Sequence, residues 1–356
     1  MGRSLTRSWT RRAAAMMTAL GSLLLSGLLT VPAAADFGQA FDLYVAKDFE
    51  SARRLVEPDA ERGHPAAQWL LGTMYLLGRG IAENPATARA WLEKSASSNY
   101  PPAQAILGRM YEQGIGGDRD AEEAHILYRM SAEQGYADAA YLLGRQYYRG
   151  EGVRKDGKRA IKWLTIAADD GNADAQYLGA RILLTNEIVR SNPEQAATWL
   201  DEAARHGHSN AQLLYGNTLM LGLAGDYDPD SALGWIKKAA GTGLAEAQLR
   251  LGDLYNAGFQ STPDFKRAYE WWTRAAEQAN AAAQLRLARA HSKGAGTDED
   301  PVAAYIWASL SALQGNEDAF ELRKRILSRL TPAEIRAADR MVEARFNRES
   351  KVGGES

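Results

Sequence analysis

The sequence predicts an all-α protein: a stack of about eight helix pairs, closed at its C-terminal end by one further helix. Three observations lead there. A short phrase returns at a fixed interval: "AQWLLGTMY" begins at Ala67, "AQAILGRMY" at Ala103, "AAYLLGRQY" at Ala139 and "AQLRLGDLY" at Ala247. Its opening alanine stands at Ala67, Ala103, Ala139, Ala175, Ala211, Ala247, Ala283 and Ala319, in steps of 36 residues without insertion. The apolar/polar alternation of strands is absent throughout. A fixed period of this size marks units that cannot bury their apolar faces alone and therefore stack, so the 356 residues need not split into separate cores.

Residues 1–35 read differently from the rest. Arg3, Arg7, Arg11 and Arg12 precede an apolar run from Ala13 to Val31, and "VPAAAD" then places Ala33 and Ala35 in an A-x-A site. That order describes a secretory signal cleaved after Ala35. The competing reading is an uncleaved anchor, since the run is about long enough to span a membrane. Cleavage removes four positive charges and no negative ones, leaving 38 basic and 44 acidic side chains, a net charge of −6. Such a balance gives no argument for a nucleic-acid partner. With no cysteine in the chain, disulfides, thiolate metal sites, a cysteine nucleophile and a lipoprotein anchor are excluded. The mature chain is expected to be periplasmic, or alternatively secreted, with no membrane span.

A short leading helix, "FGQAFDLYVAK", is expected to cap the first repeat. Each later pair starts with a capped helix. The column Asp48, Asn84, Asp120, Asp156, Asn192, Asp228, Asp264, Asp300 contains only Asp and Asn, the side chains that accept from free amides of a first turn. Pro85, Pro193, Pro229 and Pro301 follow, where a missing N–H costs nothing. Within these helices a small column from Ala52 to Ala304 is followed three residues later by Leu55, Trp91, Leu127, Trp163, Trp199, Trp235, Trp271 and Trp307. Small against large at helical spacing predicts interdigitating core, with a sugar-binding tryptophan ladder as the alternative. Gly63, Asn99, Gly135, Gly171, Gly207, Gly243 and Gly315, with Ala279 as the exception, mark the helix ends. The phrase itself is the second helix. Gly72, Gly108, Gly144, Gly216 and Gly252 leave room in it for a close helix crossing. The Ala175 copy has Ala180 at that place, and the Ala283 copy has Ala288 and His291 in place of Gly and Tyr, which predicts locally altered curvature. Finally Thr331, Pro332 and Glu334 open a last helix with capping-box spacing, and Ile335, Ala338, Val342 and Phe346 fall on roughly one side.

The pattern A-x-x-x-L-G-x-x-Y, a G-x-G-V turn, a capped helix, A-x-x-W and A-A-x-x-G resembles the Sel-1-like repeat, a subtype of the tetratricopeptide solenoids. "ADAAYLLGRQYYRGEGVRKDGKRAIKWLTIAADDG" (Ala137–Gly171) matches it almost throughout, and the ending "AAYIWASLSALQG…LTPAEIRAADRMVEARF" is similar to the terminal unit of exported bacterial members. The resemblance implies a right-handed α/α superhelix. The expected organisation is a signal peptide over 1–35, the repeat solenoid over 36–330, a capping helix over 331–348 and a disordered tail over 349–356.

Catalytic chemistry finds little support. The glycine turns "LGRGI", "GIGG" and "GEGV" follow no strand and lack the G-K-[ST] ending of a phosphate loop. His206 and His208 flank Gly207 without a third ligand, and His64 shares the column of His208, which reads as plain surface. "DYDPDS" around Asp226, Asp228 and Asp230 lacks the glycine and distal glutamate of a calcium loop, and Asp228 is already a cap. No G-x-S-x-G or H-E-x-x-H occurs. No catalytic residue, metal or cofactor is expected.

One surface column stands out: Thr73, Arg109, Arg145, Arg181, Asn217, Asp253, Arg289 and Arg325. One turn earlier lie Trp69, Tyr141 and Tyr177. In tetratricopeptide solenoids the corresponding face lines the concave groove. The resemblance therefore implies a partner-binding face made of Trp69, Arg109, Tyr141, Arg145, Tyr177, Arg181, Arg289 and Arg325. Arginine with tyrosine suits protein-binding surfaces, while arginines that only pair with acids of adjacent helices are the plainer alternative. The expected function is a non-enzymatic scaffold or adaptor holding a protein partner of the cell envelope, in envelope assembly, exopolysaccharide export or restraint of a membrane sensor. A polysaccharide-binding module, or an accessory protein of an envelope enzyme, is the alternative.

Overall fold

The computed structural model describes residues 34–185, 189–223, 225 and 227–353, so residues 1–33 of the expected signal peptide, and Asp226, lie outside the described residues. Among the described residues there are eighteen helices and no strand. Helix α1 (Ala34–Val45) leads. The capped helices are α2 (Phe49–Glu61), α4 (Pro85–Ser97), α6 (Ala121–Glu133), α8 (Gly157–Asp169), α10 (Pro193–Arg205), α12 (Pro229–Gly241), α14 (Phe265–Ala276) and α16 (Pro301–Leu313). The phrase helices alternate with them: α3 (Pro65–Leu77), α5 (Pro101–Gln113), α7 (Ala137–Arg149), α9 (Ala173–Thr185), α11 (Ser209–Leu221), α13 (Ala245–Ala257), α15 (Ala281–Lys293) and α17 (Glu317–Leu327). Helix α18 (Pro332–Gly353) ends the series and continues past the expected boundary at residue 348. The chain divides into two compact units, one up to Trp199 and one from Leu200. Within each, a helix packs chiefly on its neighbours in sequence, as in an all-α solenoid.

Local chemistry sets the helix starts. Each Asp or Asn of the cap column accepts a backbone amide of its first turn, as Asn84 does from Thr87 and Asn192 from Gln195. Five of the phrase helices have side-chain caps too, whereas Tyr100, Tyr136 and Leu244 at the starts of α5, α7 and α13 supply none. Asn172, Asn280 and Asn316 accept from the amide three residues on, and so do the Nδ1 atoms of His64 and His208, at 3.3 and 3.0 Å. The two histidines expected to be plain surface are thus helix caps. Most of the first helices stop at a left-handed glycine, and Asn99 and Ala279 adopt the same conformation with φ of 61°.

The phrase alanines and the small column from Ala52 to Ala304 are all fully buried. The expected tryptophan core needs correction. Trp91, Trp163, Trp235 and Trp271 are only half-buried, and the residues after them, Leu92, Leu164, Ile236 and Trp272, are the buried ones. The crossing glycines explain the register. A Cβ on Gly72, Gly144 or Gly216 would come within 2.9 Å of Leu92, Leu164 or Ile236 respectively, so the phrase helix rests directly on that column. Where alanine replaces this glycine, the tryptophan turns inward: Trp199 is 4% exposed and Trp307 8%. Trp199 gains its space from Gly179, one residue before Ala180, whose added Cβ would lie 2.6 Å from the indole. Beside Trp307 the following residue shrinks to Ala308.

A buried polar column reinforces the stack. Gln68, Gln104, Gln176, Gln212, Gln248 and Gln284 each donate to a carbonyl near the end of the preceding helix, at 3.0–3.4 Å. Gln134, Gln278 and Gln314 donate in turn to Gln104, Gln248 and Gln284 one repeat earlier. A buried amide left unmade is costly, so these ladders fix the register between repeats.

At the C-terminal end Thr331 and Glu334 form the expected capping box, each accepting the other's backbone amide. Ala338 and Val342 enter the core, Tyr305 donates to Asp339 at 2.9 Å, and Arg345 lies over the Trp307 ring, so α18 covers α16. Phe346, expected on the covered side, stays 36% exposed.

Candidate functional site

The arginine column sits on the phrase helices, one position after the crossing glycine, and its members meet different fates. On α5 and α7, Arg109, Glu112 and Arg145 converge around the buried Tyr128 of α6, and Asp138 joins them through Arg109. Arg145 pairs with Glu112 at 2.5 Å, with the two side chains 17% and 10% exposed. The Tyr128 hydroxyl donates to the same carboxylate at 3.3 Å. Burial favours the neutral form of Arg145, and Glu112 outweighs it, holding the pKa above the ordinary value. Arg109 is lowered, first by burial and then by the like charge of Arg145, against the pull of Tyr128, Glu112 and Asp138. Burial raises Asp138, opposed by Arg109 and by a 2.9 Å hydrogen bond from Asn172. Burial also pushes the hydroxyl of Tyr100 up to about 12. The cluster contains two cations and two carboxylates, so its charges answer one another across the repeat boundary.

Trp69 does not belong to a binding face. It is 3% exposed, stacked on Phe41 of α1 and edge-on to Tyr100, because α1 caps the first repeat and covers it. Tyr141 and Tyr177 are half-buried, and the guanidinium carbons of Arg145 and Arg181 lie 6.0 and 5.6 Å from their respective ring centroids. Arg181 is exposed. In the second unit Arg289 pairs with Asp318 at 2.7 Å on the surface, and Arg325 is exposed with its Nε donating to the Glu321 carbonyl. Where the column reads Asn217 and Asp253, the arginine comes from the next repeat instead: Arg250 donates to Asn217, and Arg286 pairs with Asp253 at 2.8 Å. The polar tie between repeats is kept while its donor moves.

The sequence reading missed Glu112, Asp138 and Asp318 as partners. A signal for two of them was present, since an aspartate stands 29 residues after Arg109, Arg145 and Arg289, whereas Asn210 follows the exposed Arg181. The half-buried tryptophans present no bare ladder. Lys94, Lys162, Lys238 and Arg274 lie over the rings of Trp91, Trp163, Trp235 and Trp271, with 3.9–5.5 Å to the centroid. Among the described residues no three histidine, aspartate or glutamate side chains gather as a metal site, and no helix is long and apolar enough to cross a membrane.

Helix pairs of nearly one length, with recurring caps, glycine crossings and glutamine contacts, define a repeat protein of the α-solenoid class. The Sel1 repeat model matches residues 9–55, 65–100, 101–136, 137–172, 173–208, 209–241, 245–280 and 281–316, so the chain belongs to the Sel1 repeat family. Among solved structures it is similar to a protective antigen present in uropathogenic Escherichia coli strains and displaying an SLR fold. The identity is 30% and the TM-score 0.80, over 90% of this chain and 71% of that one. It is also similar to a Sel1 repeat protein from Oxalobacter formigenes, at 31% identity and a TM-score of 0.62, over 68% of this chain and 97% of that one. No curated protein matches it significantly. Sel1 repeat proteins typically mediate protein–protein interactions, and the family is generally non-enzymatic.

Proposed function

We propose that this chain is a non-enzymatic scaffold of the bacterial periplasm that holds a protein partner of the cell envelope. The observation that carries the reading is the eightfold Sel1 match, which assigns most of the chain to a repeat that typically binds protein. The basic start, apolar run and A-x-A site of residues 1–35 support export. The pathway is one of envelope complex assembly, exopolysaccharide export or restraint of a membrane sensor. Within the arginine column, Arg181 over Tyr177 is the member of the first unit best placed to meet a partner, because Arg145 is engaged with Glu112 and Trp69 is buried.

Crosslinking in the cell, followed by pull-down from the periplasmic fraction, tests this reading. The wild-type chain should be recovered there with its N-terminus at Asp36 and with a reproducible protein partner. Tyr177→Ala with Arg181→Gln should lose that partner while remaining folded, with a melting midpoint well above the temperature of the assay. Recovery only with membranes and with residues 1–35 attached overturns the localisation. Undiminished capture by the double variant overturns the assigned face.

A further inference from the structure

The C-terminal half of the second unit holds a basic cavity of about 240 Å³ beside the last turns of α15 and α17. Arg289, Lys293, Arg325 and Arg329 line it together with the Ser292 hydroxyl, and the buried Leu322 and Ile326 close its inner side. No acidic residue lines it. Two of the cations are answered from outside: Arg289 by Asp318 at 2.7 Å, and Arg329 by Glu299. Among the described residues Lys293 and Arg325 form no ion pair, and the Arg325 side chain donates to the Glu321 carbonyl. Four positive charges with two answering carboxylates leave a net charge of +2 around one small space.

Cations in the last turn of a helix are ordinary, because they complement the helix dipole. What is not ordinary is that cations from two neighbouring helices and the turn after α17 converge on one cavity with a hydroxyl donor and an apolar inner wall. A single carboxylate is matched by one guanidinium fork, whereas several cationic donors from different directions suit a tetrahedral dianion. The apolar wall adds a surface for a small organic substituent. We propose that this cavity binds a phosphate monoester, with the phosphoryl group between Lys293 and Arg325 and the substituent against Leu322 and Ile326. The site is separate from Arg181 and Tyr177 and does not depend on the scaffold reading.

Calorimetric titration of the full chain at low ionic strength tests this, with phenyl phosphate, inorganic phosphate and succinate as probes. Phenyl phosphate should bind more tightly than inorganic phosphate, and both more tightly than succinate. Lys293→Gln and Arg325→Gln should each weaken phenyl phosphate binding about tenfold, the loss expected for one charge-assisted contact. Both side chains are exposed, so melting should be unchanged. Arg54→Gln removes an exposed arginine of α2 and should leave binding intact. Absence of binding, or equal losses in all three variants, overturns the site. Inorganic phosphate binding as tightly as the ester overturns the substituent pocket, and tighter succinate binding overturns the phosphate assignment.

Discussion

The contact of the crossing glycine with the buried column yields a prediction whose size follows from geometry. A Cβ on Gly144 of α7 would lie 2.8 Å from Leu164 Cγ and 3.1 Å from the Ala160 carbonyl oxygen on α8. Ordinary carbon contacts begin near 3.5 Å, so α7 and α8 must part by roughly 0.5 Å. Overpacking of this kind costs about 1–3 kcal/mol, and alanine's helix preference offsets about 1 kcal/mol, so Gly144→Ala should destabilise by about 1 kcal/mol. Leu164→Ala empties a fully buried site and should cost about 2–5 kcal/mol. In the double variant the new methyl group enters space that Leu164 has left, so the clash with that side chain disappears, the 3.1 Å approach to the Ala160 carbonyl stays and the helix preference remains. The double variant should therefore be no less stable than Leu164→Ala alone, a favourable coupling of about 1–2 kcal/mol. The chain carries a natural version of this pair, Ala288 with Ala308 in the same two columns, both fully buried. Urea unfolding of the four proteins closes the cycle. Additivity within about 0.5 kcal/mol, the behaviour of independent sites, would refute the argument.

Trp163→Ala should destabilise less than Leu164→Ala, because Trp163 is only half-buried, and a larger shift in its melting midpoint reverses the assignment of columns. Arg145→Gln should cost about 2–4 kcal/mol by leaving the nearly buried Glu112 unpaired, whereas Arg181→Gln should stay within about 0.5 kcal/mol; thermal melts of the two compare them directly. Ala279→Gly should stabilise by about 0.5 kcal/mol, since alanine there adopts a left-handed conformation, and urea midpoints of the two proteins measure it. His291 is buried, which lowers its pKa below the ordinary 6.5, with Asp300 opposing. The unfolded chain then binds the proton more readily, so stability is level above about pH 6.5, falls as the pH drops towards the folded pKa and levels off below it. His291→Gln should flatten the melting profile over that window, and an unchanged slope refutes the assignment.

The parts of the fold that the sequence made legible rest on local chemistry. A cap column of Asp and Asn, a Thr331–Glu334 box and two fully alanine columns each have one physical use, and the structure puts them to it. The tryptophan column did not, because consecutive residues on a helix differ by only 100° and Trp163 and Leu164 are both large and apolar. Period alone shows that a stripe faces inward and leaves open which of two adjacent columns touches the neighbour. The deciding information lies in the pairing of columns. Glycine at 144 accompanies a large residue at 164, Ala288 accompanies Ala308, and Gly179 accompanies the inward Trp199. Size exchanged between helices identifies the contact in a way that the apolarity of either helix does not.

The arginines separate on the same grounds. A column repeated in register reads from sequence as a stripe, and a stripe of one charge reads as a surface awaiting a partner. Charge on a solenoid must also be answered between repeats, and the answering residue here lies on the phrase helix of an adjacent repeat. Arg109 and Arg289 have an aspartate 29 residues on, and the structure sets each with it, through charge for Asp138 and at 2.7 Å for Asp318. Where the column itself holds Asp253, Arg286 of the next repeat answers it, 33 residues on. Arg181 is followed at that offset by Asn210 and is exposed. The proposed binding face therefore centres on Arg181, which has no ion pair among the described residues. Lys293 and Arg325, which form no ion pair among the described residues, are likewise where the proposed phosphate would meet the least competition from the protein's own carboxylates.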